Sequence, residues 1–438
     1  MNARRMRIVD GVFLAIALLA MWAIPHRIAG DGEIRYEALV RLFETGKLAA
    51  PRYSMIGPLF ATPLYFFGKA LGDPRAATAH LNIVLFTLGT FLFGRELSRE
   101  LSPERTRGAL LLFTFASMFP NHVQVFYGEV FTTLAVTLGV FWITRGRDRL
   151  GSLAIVLGGA NTPGSLVAIG LVALRLAYRE RRPSLLLLPV ATFALVTLEN
   201  LVMRGGPFLS GYEGDVGFKT VMPYSGLPGF SYPLVLGVLA LLFSFGKGLL
   251  FFTPGLFAPL AKDASERLRF IQHTLLWFVV GLLLVYGRWW SWYGGSFWGP
   301  RFLLAASVPA TIALATYLRT PDARRDPWRG GLLVLAIGFS FWVGVNGLVF
   351  DQNGLGICWR DDYALEALCH FTPEHSVLFH PFIDFESTVP TKSRPLALAV
   401  CAIWAIAFAW TAHDPITDFT RAFAGRVRRL IAELFALR

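Results

Sequence analysis

The sequence predicts an all-α polytopic membrane protein, with about twelve transmembrane helices and surface helices in its first outer loop. Three observations predict it. Of 438 residues, 54% are hydrophobic and only 16% charged, too few charges to coat a soluble chain of this length. Apolar runs near the length a bilayer needs recur from end to end. The basic residues behind the net charge of +12 fall mostly in short loops between those runs, the pattern that orients membrane proteins. In a soluble chain such charge would suggest nucleic acid; here the expected partner is the lipid bilayer, with no nucleic acid.

The head MNARRMRIVDGVFLAIALLAMWAIPHRIAG is basic, then apolar, with no small-x-small cleavage site behind it. It reads as an uncleaved first span near 8–25. Further spans are expected near 76–95, 108–126, 130–144, 150–161, 164–178, 184–203, 234–260, 270–287, 302–318, 331–349 and 395–412. The run 150–178 is a hairpin around GGANTPGS, and 234–260 is long and interrupted. Arg4, Arg5 and Arg7 place the N-terminus inside. The loops GRELSRELSPERTRG, TRGRDRL, RERRPS, KDASERLR and RTPDARRDPWR then all fall inside, as does an amphipathic tail over 413–438 lying on the surface. The expectation is one multi-pass domain, 1–438, in the inner (cytoplasmic) membrane with both termini cytoplasmic. The outer side carries residues 26–75, 204–232 and 351–394, together with WWSWYGGSFWGPR. With no soluble domain of ordinary size, function belongs at the outer membrane face.

In the first outer loop, Tyr36, Leu39, Val40 and Phe43 recur at helical spacing, with Glu37 and Arg41 an i,i+4 pair on the other face and Gly46 ending the helix. The apolar PLFATPLYFFGKALG is too short to span comfortably and reads as a second surface helix. Asp31 and Glu33 precede the first of these helices. They are either its cap and first-turn acids, or a general base facing a membrane-held substrate. Glu129, in FYGEVF at an outer turn, is costly at that depth without a partner or a role. Close to Asp31 it would either share acid–base work or join Asp31 in holding a divalent cation such as Mg or Mn.

Together these features resemble the GT-C glycosyltransferases, polytopic enzymes that use lipid-phosphate-linked sugars and include protein O-mannosyltransferases and aminoarabinose transferases. The resemblance rests on the acid just after span one, on Tyr36, Leu42, Gly46, Leu48 and Pro51 in the first loop, and on YSMIGPLFATPLYFFG. LLFSFGKGLLFFTPGL and WWSWYGGSFWGPRFLL resemble further segments of bacterial members. It implies a GT-C-like fold and an inverting transfer of a sugar from a polyprenyl-phosphate donor to an envelope glycan, lipid or protein. By resemblance, Asp31 takes the place of the catalytic aspartate and Glu129 that of the second-loop acid. The family often reads DE where this chain has DGE, which leaves Asp31 and Glu33 both open as the base. GGANTPGS also lacks a basic residue that relatives often carry nearby.

Such chemistry needs a base for the acceptor hydroxyl, cations for the leaving phosphate and exclusion of water. Arg301, Lys247 and Arg288 are the cations expected at the phosphate. For Lys247 the alternative is snorkelling to the interface. Tyr36, Trp290, Trp292, Tyr293 and Trp298 are expected to bind substrate, because an interfacial aromatic belt alone would not need Gly294, Gly295, Gly299 and Pro300. Cys358 and Cys369 share one outer loop and are expected to pair. That loop also holds His370, His375 and His380, without clean zinc spacing. The alternative function is a transporter or flippase for a lipid-linked sugar or other amphiphile. Such a protein should show internal repeats and polar broken helices at the midplane, and the sequence shows no convincing repeat.

Overall fold

The computed structural model describes residues 3–213, 219–319, 327–350, 355–389 and 391–436. The middle of the RTPDARRDPWR loop and the first residues of the 351–394 segment lie outside them. Among the described residues the chain is α-helical with short 3-10 turns, and the one isolated bridge joins Arg27 to Val125. Six helices are long and apolar enough to cross a membrane: Arg4–Ala23, Pro74–Leu97, Pro183–Arg204, Glu266–Tyr286, Pro327–Val349 and Thr391–Thr411. Each coincides with an expected span. The starts are set locally. Asp73 accepts the N–H of Ala76 and Ser265 that of Leu268, so two of the six begin on side-chain caps, and Ser102 likewise caps the shorter Pro103–Phe115 through Arg105.

The other expected spans are shorter helices. Glu129–Ile143 and Asp148–Asn161 form a tight hairpin. A methyl group on Gly139 would meet the Gly151 carbonyl at 2.8 Å, and one on Gly151 would meet the Gly139 carbonyl at 2.7 Å. Small residues let apolar helices touch along their backbones, where lipid supplies no hydrophobic drive. The run 108–126 does not continue as one helix. Pro103–Phe115 stops at Ala116, where the Phe115 carbonyl turns to accept the Trp404 indole N–H at 3.0 Å.

The run 234–260 is interrupted. A ten-residue helix, Leu234–Phe243, starts beside Gly287, where a methyl group on Gly237 would overlap the Gly287 carbonyl at 2.0 Å. The chain breaks at 244–248, where Gly246 donates to the His370 carbonyl at 3.0 Å. It resumes as the short turns Leu249–Phe252 and Pro254–Phe257. Hydropathy alone fuses these pieces, because the break is made by backbone bonds to a distant loop.

The basic loops converge on one face. Arg145 pairs with Glu96 (2.9 Å) and Glu100 (3.2 Å), Arg105 with Asp263 (2.7 Å), Arg182 with Asp148 (2.5 Å) and Arg319 with Asp10 (3.0 Å). We call this the basic face. The helix Glu129–Ile143 ends there near Arg145, and the chain from Arg301 reaches it at Arg319. Their first residues lie at the opposite end, where a second apolar cluster, including Tyr36, Leu39, Tyr65 and Phe126, packs the first outer loop. That loop folds as Asp31–Thr45, ending on the left-handed Gly46, followed by Ile56–Phe60 and Thr62–Leu71.

Candidate functional site

Asp31 is the first residue of its helix, but Gly30 and not Asp31 takes the cap position. Backbone pairing fixes where it stands. Arg27 donates to the Gln124 carbonyl (2.7 Å), and Phe126 donates to that of Arg27 (3.2 Å). Asn82 clamps the carbonyls of Val125 (2.6 Å) and Tyr127 (3.0 Å) from the other side. The helix start therefore lies against the turn that leads into Glu129. A methyl group on Gly32 would come within 2.8 Å of the Phe126 carbonyl, so the fit is close.

The Asp31 carboxylate faces Arg301, with Oδ2 2.8 Å from Nη1. Tyr53 donates its hydroxyl to the same carboxylate. Burial pushes the Asp31 carboxyl up, but the Arg301 and Arg35 charges and the Tyr53 hydroxyl outweigh it and hold the group below its ordinary range. The carboxylate in turn, with burial, pushes the Tyr53 hydroxyl far up.

Arg301 is 7% exposed and sits in an aromatic box. Its guanidinium carbon lies 5.1 Å from the Tyr127 ring, 4.7 Å from Phe297 and 4.8 Å from Phe302. Nη1 is engaged by Asp31, while Nε is sealed from solvent and makes no hydrogen bond. The buried Tyr127 hydroxyl and Glu129 Oε2 are likewise without a hydrogen bond. Glu129 lies within electrostatic reach of Arg301, Arg35 and Asp31. A buried cation with a spare donor, next to a carboxylate, is suited to an anion that brings its own acceptors.

Arg35 and Asn161 complete the floor. Arg35, one helical turn after Asp31, donates to the Ser54 carbonyl (3.1 Å) and to Asn161 Oδ1 (3.4 Å). Asn161 donates to the Gly128 carbonyl (2.9 Å) and accepts the Gly57 N–H (3.0 Å). The GGANTPGS turn is thus tied to a buried arginine from the first loop. Sequence reasoning missed Arg35, Tyr53 and Asn161. The i,i+4 spacing of Asp31 and Arg35 was a signal that could have found the arginine.

The glycine-rich aromatic knot wraps Lys247. Its ammonium donates to the carbonyls of Gly295 (3.1 Å), Phe297 and Gly299 (3.1 Å). Gly294, Gly295 and Gly299 all have positive φ, at 72°, 81° and 62°, which turns those carbonyls inward. A methyl group on Gly294 would also press on Arg301 Nε at 3.1 Å. All three N–H bonds of Lys247 are therefore spent inside the protein. Burial lowers its pKa to about 7.

The remaining expected residues are spread out. Glu33 points away to Arg75, with contacts of 2.6 and 2.5 Å. Tyr36 is buried beneath Arg75. Trp298 is buried and donates to Asn346 Oδ1 at 2.8 Å. Trp292 and Tyr293 are buried against His370 of the third outer segment. Trp290 is half-buried with its N–H on the Gly229 carbonyl (3.0 Å), and Arg288 is exposed. The aromatics at 292, 293 and 298 thus pack the knot. Cys358 and Cys369 form a disulfide. Among the described residues no three of His, Cys, Asp and Glu cluster as metal ligands.

No protein-family model matches the chain, and no curated protein matches it. Among solved structures it is similar to ArnT from Cupriavidus metallidurans in the apo state, with 14% identity over 96% of this chain and 77% of that one and a TM-score of 0.50. A structure of the same protein bound to undecaprenyl phosphate gives a TM-score of 0.47, at 14% identity over 95% and 78%. The chain shares the polytopic membrane fold of that protein.

Proposed function

We propose that the protein transfers a sugar from a polyprenyl-phosphate donor to an acceptor hydroxyl of an envelope glycan, lipid or protein at the outer membrane face. The observation that carries this reading is the buried pair of Asp31 and Arg301, in which the arginine keeps Nε without a hydrogen-bond partner beside the unmatched Glu129 Oε2 and Tyr127 hydroxyl. The donor phosphate binds Arg301, with Arg35 behind it, and the aromatic box excludes water around the leaving group. Asp31 takes the acceptor proton as the acceptor oxygen bonds to the anomeric carbon. The bond from that carbon to the phosphate oxygen breaks, and the polyprenyl phosphate leaves with the electron pair.

A carboxylate held below its ordinary pKa is a weak base. Phosphate binding corrects this by drawing Arg301 away from Asp31, so the base gains strength only when donor is present. Glu129, facing the same cations, keeps the arginine charged. Lys247 is a positioning residue, because its three bonds shape the loop that places Arg301.

A resident divalent cation does not fit this donor set. Asp31 is already turned to a guanidinium, only Glu129 joins it, and a second cation at that spot would be repelled. No step is routed through a metal. A transporter is also less well supported. Its broken helix should sit at the midplane, whereas the break at 244–248 bonds to residues 295–299 and 370 at the site end of the molecule.

The test is transfer of label from a panel of radiolabelled polyprenyl-phosphate sugars to native membrane acceptors, comparing wild type with Arg301→Gln at equal membrane levels. Transfer by wild type, with an increase in donor KM and a loss of kcat in the variant, is expected. Movement of lipid-linked sugar between leaflets without any transfer would overturn the reading in favour of a flippase.

A further inference from the structure

The basic face holds a cavity that the transfer reaction does not use. Its volume is about 520 Å³, and Arg99, Arg145, Arg147, Glu180, Arg182 and Arg267 line it. These come from four separate loops, so the chain folds to bring them together. A second groove of about 470 Å³ shares Gly146 and Arg147 with it and runs past Asp148, which is paired with Arg182, and Arg149 to Leu150. Leu150 and Leu153 beyond it are 46% and 56% exposed.

The preference for basic loops on one side of a membrane explains the number of arginines. It does not explain their convergence on one concavity beside the exposed Leu150 and Leu153. Two acids, Glu96 and Glu100, lie behind the arginines, almost wholly buried, and take Arg145 at 2.9 and 3.2 Å, Arg99 at 3.4 Å and Arg267 at 3.8 Å. Glu180 lines the cavity itself and Asp148 takes Arg182 at 2.5 Å, so five arginines face one acid at the rim that is not paired off. Arg267, Arg99 and Arg182 remain 57%, 38% and 38% exposed there. Arg147 is exposed and forms no ion pair among the described residues.

We infer that this cavity binds the phosphate of an anionic phospholipid headgroup, with an acyl chain following the adjoining groove over Leu150. Arginine forks suit phosphate oxygens, and basic pockets between membrane helices take such headgroups. The shared chemistry is a phosphate anion. The exposed Leu150 and Leu153 side chains at the end of that groove are the reason to place it on a lipid. The inference does not depend on the transfer reaction at the opposite end.

The experiment is native mass spectrometry of the purified full-length protein in uncharged detergent. It is titrated separately with dioleoylphosphatidylglycerol, dioleoylphosphatidylcholine and inorganic phosphate. Wild type should retain the anionic lipid in preference to the zwitterionic one, and millimolar phosphate should not displace it. Arg147→Gln should weaken retention roughly fivefold, and Arg147→Gln with Arg267→Gln roughly twentyfold, at about fivefold per arginine. Arg147→Gln breaks no ion pair and carries the test alone if the double variant fails to fold. Arg428→Gln with Arg429→Gln, an equal charge change in the tail, should retain the lipid. Equal retention of both lipids, no loss in Arg147→Gln, or the same loss in the tail variant would overturn the inference. Displacement of the lipid by inorganic phosphate would reassign the cavity to a soluble anion.

Discussion

Carboxylates at the two ends of the molecule are treated differently. On the basic face, Asp10 is 3% exposed and both its oxygens are taken. Arg107 reaches one at 2.9 Å, while Arg319 at 3.0 Å and the Trp410 indole at 2.8 Å reach the other. Glu100 is used similarly, by Arg145, Arg267 and the Ser265 hydroxyl. At the site end, Asp31 keeps one arginine contact and one tyrosine, Glu129 keeps an oxygen with no hydrogen bond, and the arginine between them keeps a spare donor. A buried ion pair adds little net stability but is costly to break. The basic face uses such pairs to lock loops. Arg145 and Arg319 Nε there also lack a hydrogen bond, but the site end gathers Glu129 Oε2, the Tyr127 hydroxyl and Arg301 Nε, all unmatched, around one ion pair, as the proposed ligand would require.

The sharpest way to break this comparison is to remove one acid from each end. Asp31→Asn should reduce sugar transfer about 10²–10⁴-fold, the range for loss of a general base, with the protein still folded. A rate within a few fold of wild type would remove Asp31 from the chemistry and leave Glu129 as the candidate. Asp10→Asn should do the reverse. It strands two buried guanidinium groups, so a loss of about 3–5 kcal/mol in unfolding stability is expected, read as a lower melting temperature in detergent. Transfer per folded molecule should be unchanged.

Loop fastening differs in the same sense. Ion pairs hold the loops of the basic face, whereas the third segment of the site end is closed by the Cys358–Cys369 disulfide. Cys358→Ser should cost about 3 kcal/mol by the loop-entropy estimate for so short a ring. Reductant should mimic it in wild type and do nothing further to the variant. Since residues 369 and 370 press on Gly246 next to Lys247, donor KM should rise as well. A variant with unchanged melting temperature and KM would detach this loop from the site.

A pH profile tests whether the match at Asp31 is incomplete on purpose. In the free protein its carboxyl lies below the ordinary range, because Arg301, Tyr53 and Arg35 outweigh burial. For a carboxylate depressed on folding, the stabilisation is present above the unfolded pKa and lost as pH falls through the folded one. The acid limb of kcat/KM, which reports the free enzyme, should therefore lie below the usual carboxylate value. Bound donor draws Arg301 away, so the acid limb of kcat should lie higher. Coincident limbs would mean that Arg301 never leaves Asp31.

Much of this was legible in the sequence. The six long helices follow from apolar runs with capping serines and prolines, and the surface helix after Asp31 follows from its periodicity and from Gly46. Local signals end where distant backbone takes over. The break at 244–248 depends on His370, more than a hundred residues later, and Lys247 was misleading because nothing near it shows the three carbonyls that consume its donors. The tryptophans at 292 and 298 look like a substrate wall in sequence, yet one packs on Tyr232 and His370 and the other on Phe252. Aromatic content shows that a knot exists without showing which way its faces turn.

The smallest expected effect concerns the acid that the sequence alone could not separate from Asp31. Glu33 lies two residues further on, so the helix turns it to another side. There it meets Arg75, and the two side chains remain 32% and 48% exposed. Solvent screens such a pair, and its loss should cost no more than about 1 kcal/mol. Arg75 also donates to the Ile28 carbonyl at 2.9 Å and lies over the Tyr36 ring, so it stays in place without its partner. Glu33→Gln should thus melt within a few degrees of wild type and transfer sugar within about twofold, because Asp31 and Arg301 are untouched. A loss approaching that of Asp31→Asn would mean that the helix rotates when donor binds and brings Glu33 to the acceptor. The base would then be the residue that this structure pairs with Arg75.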